Sequence, residues 1–460
     1  MTAKFRMAIG AFLAALLAAC AGPTGAEPLQ DRLDQAAAHG GGTVMLERGV
    51  RVFVRDGVIV PEQVTLDLNG GELVADLHSA DAAGARLMSH AAILNGAITV
   101  RSHGTPGTQA GAHAPILVGG LLGDAAIAPS RITNPRGWRI SNVTLRSDKS
   151  LMLSEDVRLG AAAVQVIGGA HEGLIEEVRI PDSDRLAGGI MLDWGAVGDI
   201  RSDDVVGNAR RHANGQAYTT HPHSIVIRNI SIGKLTRKNR ASEGTFGVRL
   251  SGVHDVTVSH ISIEMTTGAA IAHTAGDLGY EFAKPDDRRR AHRGILIEDV
   301  TIAGIDGGYA ILSDSYADNV GRAAAAGYRP MLAPIAPTDL VVRRVRGEGS
   351  GRGDGLRIDH QLGGRFEELV LAGFRTGIII DEQVHAAAVV NPLLLDSTQA
   401  AVAIGHPHRP PTDIALIAPR VRGTGRAELI RIDRSERVRV TNSIVPVTVD
   451  HTAIDAAVLR

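Results

Sequence analysis

Gly355-Leu356-Arg357-Ile358-Asp359-His360 is one copy of a phrase that recurs along most of the chain. A glycine or small residue is followed by an apolar, a variable, an apolar and a polar residue. Because alternate residues of a strand face opposite sides, we expect the two apolar positions to point inward and the variable and final positions to point outward. Further copies occur at 189–193, 247–251, 377–381 and 428–433, and looser copies occur at 163–166 and 270–273.

The copies recur at the period of a solenoid. Val248 and Ile271 are 23 residues apart, Leu356 and Ile378 are 22 apart, and Ile378 and Val402 are 24 apart. A short strand repeated at such a period indicates coils that bury their apolar faces by stacking on their neighbours. A second repeated strand type is found at 224–229, 256–260 and 295–300.

Composition limits the classes of function. The 460 residues include 48 Lys and Arg against 50 Asp and Glu, and this near balance argues against a nucleic-acid partner or a role dominated by a membrane surface. Nearly all the positive charge is arginine, which binds planar carboxylates and phosphates bidentately. The 54 glycines and the 3% of aromatic residues fit tight corners around an aliphatic ladder.

Residues 1–19 are predicted to be a signal peptide, because Lys4 and Arg6 precede an apolar run that is too short to span a bilayer. Residues 17–20 resemble a bacterial lipobox, and Cys20 is the only cysteine in the chain. We expect Cys20 to be lipidated and residues 20–28 to form a linker. The exported protein would then be anchored to a bacterial membrane and face the periplasm or the cell surface. A cleaved signal with an incidental cysteine is the alternative.

The N-terminal coils resemble a known superfamily. Residues 29–38 have helical spacing, and Gly40-Gly41-Gly42-Thr43-Val44-Met45-Leu46 opens the first strand. Together with 64–71 and 93–98, they resemble pectate-lyase-like right-handed parallel β-helix proteins. The resemblance implies an all-β right-handed parallel β-helix over 29–445, with the short helix covering the open apolar end. It implies no single reaction, because the fold hosts polysaccharide lyases, polygalacturonase-like hydrolases, epimerases and non-catalytic tailspikes.

Several stretches depart from the repeat. Residues 103–136 are rich in Gly, Pro, Ala and Ser and are interpreted as an insertion without strand periodicity, and 446–460 as a C-terminal tail or cap. Long excursions follow some of the organising strands, and each returns to the second strand type. They should therefore leave from one corner and wall a lateral groove, where such a scaffold would place function. The four excursions are 193–223, 274–293, 313–337 and 405–412.

The first candidate site is predicted to bind substrate. We expect Asp193 and Arg249 to face outward side by side, and Trp194 to offer an aromatic platform for a sugar ring. His273 falls on the inward register but at a strand end, so its direction is open. The alternative is an Asp–Arg ion pair beside a packed tryptophan. The full set is Asp193, Trp194, His221, His223, Arg249, His273 and Tyr280.

The second candidate site is predicted to be catalytic and lies on three consecutive coils. Asp359 and Asp381 share one column, with backbones about 4.8 Å apart, and such a carboxyl pair suits a glycosidase. Arg357 could instead neutralise a uronate while a histidine or tyrosine moves a proton, which is the lyase or epimerase chemistry. The alternative is a column of aspartates that accept hydrogen bonds from turn amides. The full set is Asp314, Tyr316, Arg357, Asp359, His360 and Asp381.

Short motif matches do not decide the reaction or the cofactor. Residues 355–359 resemble the Gly-apolar-Arg-Ile-Lys element of polygalacturonases, with aspartate in place of the lysine. Residues 358–360 match the Ile-Asp-His of a pectate-lyase strand, which is too short to import the calcium site of those enzymes. Calcium therefore stays open as a cofactor. No metal site is predicted from His-Pro-His at 221–223 and 406–408, since zinc normally needs further protein ligands.

The sequence thus predicts an exported polysaccharide-degrading enzyme. The favoured reaction is that of a lyase on an acidic, uronate-containing polysaccharide, because arginine, histidine and tyrosine lie near the groove. A glycoside hydrolase with paired aspartates is one alternative. A non-catalytic polysaccharide-binding or structural surface protein is the other. The expected partners are a polysaccharide and, through the lipid anchor, a membrane, and the protein is expected to be a monomer or a homotrimer.

Overall fold

The computed structural model describes residues 28–103, 112–121, 132–148, 161–197, 210, 214, 218–236, 244–274, 292–314, 336–423, 429–450 and 452–459. No helix in these ranges is long and apolar enough to cross a membrane. One helix, α1 (Leu29–Ala38), precedes the strands. The strands, numbered in chain order, are β1 (Gly42–Met45), β2 (Arg51–Arg55), β3 (Val58–Val60), β4 (Val64–Asp67), β5 (Glu72–Leu77), β6 (Ala85–Leu87), β7 (Ala92–Ser102), β8 (Ile116–Leu121), β9 (Ile132–Thr133), β10 (Arg139–Ser147), β11 (Ala162–Ile167), β12 (His171–Glu176), β13 (Arg179–Ile180), β14 (Gly188–Asp193), β15 (Gly195–Val197), β16 (Tyr218–Thr220), β17 (His223–Leu235), β18 (Phe246–Ser251), β19 (His254–Thr266), β20 (Ala269–Thr274), β21 (Ile295–Ile302), β22 (Tyr309–Asp314), β23 (Ala336–Glu348), β24 (Asp354–Ile358), β25 (Gln361–Glu367), β26 (Val370–Ala372), β27 (Thr376–Ile380), β28 (Ala388–Val390), β29 (Leu393–Leu395), β30 (Ala400–Ile404), β31 (Ala415–Ile417), β32 (Arg420–Arg422), β33 (Ile430–Ile432), β34 (Arg439–Thr441), β35 (Val447–Val449) and β36 (Ala457–Leu459).

These strands form two long parallel sheets. Sheet I has the order β3-β6-β8-β11-β14-β18-β20-β22-β24-β27-β30-β33-β35, with β9 antiparallel to β8. Sheet II contains the other strands except β15 and β16, which form an antiparallel hairpin. Each strand pairs with the equivalent strands of the coils before and after it. The described chain is therefore a stack of coils rather than a set of globular layers.

Each coil has three faces. A strand of sheet I forms the first face, and sheet II supplies the other two. In one coil β25 forms the second face and β26 the third, and they pair in parallel with β28 and β29 of the next coil. In earlier coils a single long strand, such as β17 or β19, runs through both of these faces. The corner between the second and third faces thus lies across the coil from sheet I.

The apolar positions of the repeated phrase point into the stack. Val248 pairs with Ile271, Leu356 with Ile378, and Ile378 with Val402, and each of these side chains is buried. These are the pairs that the sequence spacing predicts, so the register is confirmed. Because the side-chain period of a strand is two, the intervening residues of sheet I face outward.

The corner between the second and third faces is turned by single residues in the left-handed backbone region. Asn391 has a φ of 54°, Ala418 of 49° and Asn442 of 56°. Asparagine tolerates this conformation better than most residues because its side chain hydrogen-bonds locally. We call this set the corner column; it comprises Asn142, Glu177, Asn229, His260, Asp299, Arg344, Glu368, Asn391, Ala418 and Asn442.

Helix α1 closes the first coil, as predicted. Leu29 and Leu33 are buried against the core. The side chain of Gln30 accepts a hydrogen bond from the backbone N–H of Ile59 at 2.9 Å and donates one to its carbonyl at 3.1 Å. Arg32 donates to the carbonyl of Met45 at 2.9 Å. The helix therefore covers apolar side chains and satisfies backbone groups at an end that would otherwise be an open edge.

Two predicted boundaries need correction. The interval 103–136, interpreted as an insertion without strands, contains β8, which pairs with β6 and β11 in sheet I. The apolar part of β8 is short and lies among small residues, so the sequence shows no clear strand pattern there. The segment 446–460, interpreted as a tail or cap, contains β35 and β36, which extend both sheets by a further coil. Strands of only three residues are too short to show a clear alternation of apolar and polar residues in the sequence.

The long excursions leave from one corner, as predicted. Each begins where a strand of sheet I ends, after β14, β20, β22 and β30, and each returns to the second face, at β17, β21, β23 and β31. The interiors of the first three lie largely outside the described residues, whereas 405–412 is described throughout. The ends of the excursions therefore stand beside the outer face of sheet I.

Candidate functional site

Three aspartates stand in one column on the outer face of sheet I. The register of β22, β24 and β27 places Asp314, Asp359 and Asp381 at equivalent strand ends. The backbone N–H of Asp359 donates to the carbonyl of Ser313 at 2.9 Å, and that of Asp381 donates to the carbonyl of Ile358 at 3.1 Å. The three side chains of this acidic column therefore project from consecutive coils, as the sequence spacing predicts.

Arg357 lies between two of these carboxylates. Its Nε is 2.5 Å from Oδ2 of Asp359, and its Nη2 is 3.0 Å from Oδ2 of Asp381. The guanidinium carbon also lies 5.9 Å from the ring centroid of Tyr309. Burial lowers the pKa of Arg357, but Asp359, Tyr309 and Asp381 together outweigh it and raise the pKa of the guanidinium. Arg357 thus stays charged and is engaged with two carboxylates at once.

Asp359 occupies the least solvated position of the column. Only 7% of the residue is exposed, and its Oδ1 accepts no hydrogen bond from any described residue. Burial raises the pKa of Asp359, Arg357 opposes the rise, and the charges of Asp314 and Asp381 add to it. A carboxyl group in such surroundings holds its proton to a higher pH than an ordinary aspartate and can serve as an acid.

His360 follows Asp359 and turns away from the strand with a φ of 46°. Its Nδ1 lies 3.2 Å from Oδ1 of Asp314, and its Nε2 lies 3.5 Å from Oε2 of Glu382. Burial would lower the pKa of His360, but the hydrogen bond to Asp314 and the nearby carboxylates of Glu382 and Asp359 raise it above the ordinary value. The imidazolium form of His360 therefore persists to a higher pH than that of an ordinary histidine, with an acidic group on either side.

The site also includes residues that the sequence analysis did not single out. Glu382 contacts Nη1 of Arg409 at 2.9 Å and lies 3.8 Å from Nε2 of His406. Arg409 is 46% exposed at its side chain. Their positions in the sequence could have identified these residues, because Glu382 directly follows Asp381 at a strand end and both of its partners fall in the excursion 405–412. These contacts join that excursion to the acidic column.

The first candidate site is only partly assembled. Arg249 pairs with Met191 across β14 and β18, so Asp193 lies on the same outer face but two positions further along its strand. Asp193 is 9% exposed and Trp194 is half-buried. The sequence had left the direction of His273 open, and the structure shows that it points inward. It is 5% exposed, and its Nδ1 lies 3.1 Å from Oγ of Ser313.

The two histidines at the end of the first excursion do not line the outer face of sheet I. His221 is 0% exposed, so it does not contact a polymer at the surface in this conformation. His223 begins β17 and stacks between His171 and His254 on the second face, at ring-centroid distances of 4.7 Å and 4.6 Å. The prediction that His221, His223 and His273 bind substrate on the outer face of sheet I does not match their positions. His221 and His273 are buried, and His223 lies on the second face. Cys20, Tyr280 and Tyr316 lie outside the described residues.

The acidic column does not fit a calcium ion. Calcium sites need several oxygen ligands around one point, whereas Asp359 and Asp381 already share the guanidinium of Arg357. Across the described ranges, no group of three or more His, Cys, Asp or Glu side chains is arranged to hold a metal ion. The chemistry of this site is therefore considered through its own side chains.

No protein-family model matches the sequence, and no curated protein matches it. Solved structures do resemble it. The tailspike protein of E. coli bacteriophage HK620 in complex with pentasaccharide has a TM-score of 0.55 at 10% identity, over 95% of this chain and 72% of that chain. The A-module of Azotobacter vinelandii mannuronan C-5 epimerase AlgE4 has a TM-score of 0.43 at 11% identity, over 87% and 93%. The family 28 exopolygalacturonase of Yersinia enterocolitica has 0.42 at 10% identity, over 94% and 75%. With its stacked parallel coils and its likeness to the tailspike, this chain is a right-handed parallel β-helix protein.

Proposed function

We propose that this protein is a polysaccharide-active enzyme that hydrolyses a glycan on the outer face of sheet I. The observation that carries the proposal is the environment of Asp359, a buried carboxyl group with a raised pKa between two other aspartates on adjacent strands. The tailspike that shares this fold is in complex with a pentasaccharide, which supports a carbohydrate as the ligand class.

The residues of the acidic column supply an acid and a nucleophile. Burial favours the protonated form of Asp359, which donates its proton to the glycosidic oxygen as the bond to the sugar breaks. Asp314, on the neighbouring strand, bonds to the sugar carbon, because carboxyl groups on strands about 4.8 Å apart suit a retaining glycosidase, and a water deprotonated by Asp359 then releases the sugar from Asp314. His360 holds Asp314 through the hydrogen bond at Nδ1 and acts as a positioning residue. Water is consumed, and one new reducing end appears for each bond broken.

The engagement of Arg357 is the reason for preferring hydrolysis to β-elimination. A uronate lyase needs a positive group that neutralises the sugar carboxylate, and the sequence suggested Arg357 for that role. In the structure this guanidinium already pairs with Asp359 and Asp381. The cluster around it, with Asp314 and Glu382, has more acidic than basic groups, which disfavours a second anion at that point.

Lyase chemistry is the second candidate, and Arg409 favours it. This arginine is half exposed, forms an ion pair with Glu382, and shares that carboxylate with His360 at the same corner. It is the cation best placed to meet a sugar carboxylate at the rim of the site. In that case His360 or its carboxylate neighbour would move the proton.

The reaction can be tested with a panel of uronate-containing and neutral polysaccharides. New reducing ends and the ultraviolet absorbance of unsaturated uronates are followed together. Hydrolysis gives reducing ends without absorbance, whereas both signals would identify a lyase and overturn the hydrolytic proposal. Neither signal with any polymer, alongside measurable binding, would instead identify a non-catalytic polysaccharide-binding protein.

A matched pair of variants tests the role of Asp359. Asp359→Asn should lower the rate by about 10²–10⁴-fold, the usual contribution of a general acid. Asp433→Asn is the control, because Asp433 continues the same column and contacts Arg431 at 2.8 Å but lies two coils beyond Asp381. Equal loss of activity in both variants would contradict the assignment of the acid to Asp359.

We also propose that the chain is exported and anchored through a lipid on Cys20, which the sequence pattern supports. Cys20→Ser should release the protein from the membrane fraction and abolish incorporation of a labelled fatty acid. Retention of both properties in this variant would remove the proposal without affecting the catalytic one.

A further inference from the structure

A second groove lies across the coils from the acidic column. It runs along the corner between the second and third faces, with a volume of about 840 Å³. Arg346, Val370 and Arg420 contribute from the third face, and Asn391 and Asn442 contribute from the corner column. The groove spans the coils that also carry Asp359 and Asp381, but it opens on another side of the molecule.

The strand register fixes the spacing of its charges. Arg346 pairs with Val370, Val370 with Leu393, and Leu393 with Arg420, so the four occupy one outward column of the third face. Parallel strands stack about 4.8 Å apart, which places the two arginine positions about 14 Å apart along the helix axis. Half-buried Val370 and Leu393 lie between them in this column, and Val370, with Ala418 and Pro419, forms an apolar floor of the groove.

The two arginines are available to a ligand. Arg346 and Arg420 are exposed, and neither forms an ion pair with another described side chain. Arg344, in the same groove, is instead held by Glu298 at 2.6 Å and by Asp299 at 2.7 Å. One carboxylate, that of Glu368, also lines the groove.

We propose that this groove binds a segment of an acidic polysaccharide. Guanidinium groups bind carboxylates bidentately, and the two arginine positions would meet acidic groups on separated sugar residues. Side-chain amides of Asn391 and Asn442 suit sugar hydroxyl groups, and the apolar floor suits the C–H face of a pyranose ring. The choice of a glycan rests on the proposed function, whereas the preference for an anion rests on the groove itself.

A nucleic acid fits the groove less well. Single-stranded nucleic acids are bound by aromatic platforms on which bases stack, together with a continuous basic track. No aromatic residue is among the described residues that line this groove, and its acidic Glu368 interrupts the basic charge. The groove is therefore assigned to polymer retention, separate from the chemistry at the acidic column.

The test compares two double variants of the full chain. Arg346→Ala/Arg420→Ala removes both charges from the groove. Arg365→Ala/Arg439→Ala removes two charges with the same three-coil spacing on the second face, where the intervening positions are Ala388 and Ala415. Binding of polygalacturonate and alginate is measured by titration calorimetry at fixed salt, with dextran as the neutral polymer.

The groove variant should bind the polyuronates about tenfold or more weakly, the scale expected for losing charge-assisted hydrogen bonds. The second-face variant should bind within about twofold of the natural chain, and dextran should not respond to either change. Equal weakening in both variants, equal binding of dextran, or absence of polyuronate binding to the natural chain would each overturn the proposal.

The same experiment separates this inference from the proposed function. Asp359→Asn should bind polyuronate as the natural chain does while losing cleavage. Polyuronate binding that depends on Arg346 and Arg420, with no cleavage of any polymer, would leave the groove assignment intact and remove the catalytic one. Cleavage that persists, together with unchanged polyuronate binding, in the Arg346→Ala/Arg420→Ala variant would remove the groove assignment and leave the catalytic one intact.

Discussion

At the scale of single residues, the pKa of Asp359 is set by opposed neighbours. Burial and the flanking carboxylates of Asp314 and Asp381 raise it, and Arg357 opposes them. An enzyme that needs Asp359 protonated loses activity as the pH rises through this pKa, so the alkaline limb of its pH profile reports the pKa directly.

Two substitutions should therefore move the alkaline limb in opposite directions. Asp381→Asn removes a charge that raises the pKa of Asp359 and frees Arg357 to pair with it alone, so the limb should shift to lower pH. Arg357→Gln removes the opposing cation, so the limb should shift to higher pH by about one unit or more. The measurement is kcat/KM against pH on the best polymer. Shifts of the same sign, or none, would rule out Asp359 as the titrating acid.

The sequence predicts part of this site and misses another part for a geometric reason. The period of two along a strand and the spacing of the coils are enough to bring Arg357, Asp359 and Asp381 together. They do not fix side chains beyond the strand end, where His360 adopts a positive φ. The contacts of His360 with Glu382, and of Glu382 with Arg409, depend on that turn and were not predictable from periodicity.

At the scale of elements, a buried polar row lies inside the corner where sheet I meets the second face. His273 contacts Ser313, and the Ser313 hydroxyl donates to Oε1 of Gln361. Gln361 in turn donates to the carbonyl of Gly363 at 2.9 Å. The ring of His292 meets that of His273 edge-on at 5.5 Å. This row replaces aliphatic side chains beside the coil that bears Asp314.

The row should make the protein sensitive to acid. Burial lowers the pKa of His273 to about 4, although Asp314 opposes the shift, and burial with the nearby histidines lowers the pKa of His292 well below its ordinary value. An unfolded histidine has a pKa near 6.5, so the unfolded chain binds more protons below that pH. The stabilisation from neutral His273 is therefore complete above about pH 6.5 and is lost as the pH falls towards about 4.

His273→Gln should remove much of this dependence. Between neutral pH and about pH 5, the natural chain should lose about 2 kcal/mol of unfolding free energy through His273, and the variant should lose correspondingly less. Urea denaturation at the two pH values measures the difference. His408→Gln, a substitution in the exposed excursion, is the control and should behave as the natural chain. An unchanged acid response in His273→Gln would contradict the assignment.

The corner column offers a second prediction at this scale. Ala418 has the left-handed φ of its neighbours without a side chain that favours it, at a cost of about 1 kcal/mol. Ala418→Asn should therefore stabilise the protein, and Asn391→Ala should destabilise it by a similar amount. Denaturant midpoints measure both changes, with Ala415→Asn in a regular strand as the control. Stabilisation by Ala415→Asn, or destabilisation by Ala418→Asn, would contradict the backbone explanation.

At the scale of the whole molecule, stacking places two different surfaces on opposite sides of the same coils. The acidic column stands on sheet I. The groove that contains Arg346 and Arg420 follows the corner between the second and third faces, on the other side of the coils. The sequence predicts the first surface because its residues lie inside the repeated phrase. It gives no such signal for the second, because Arg346 and Arg420 belong to three-residue stretches of the third face whose register emerges only when the coils are stacked.

A stack of coils also has ends, and the N-terminal end depends on α1. Leu33 is fully buried where the helix covers the first coils. Leu33→Ala should cost about 2–4 kcal/mol locally, as for a leucine removed from a packed core. Because each coil contacts only its neighbours, the loss should loosen the first coils before it reaches the acidic column, several coils away. Hydrogen exchange should accelerate in β1–β5 and remain unchanged in β24 and β27.

Leu459→Ala, at an exposed position of the last coil, is the control and should leave exchange in the first coils unaltered. Uniform acceleration along the chain would show that the solenoid unfolds as a single cooperative unit and that α1 stabilises all of it.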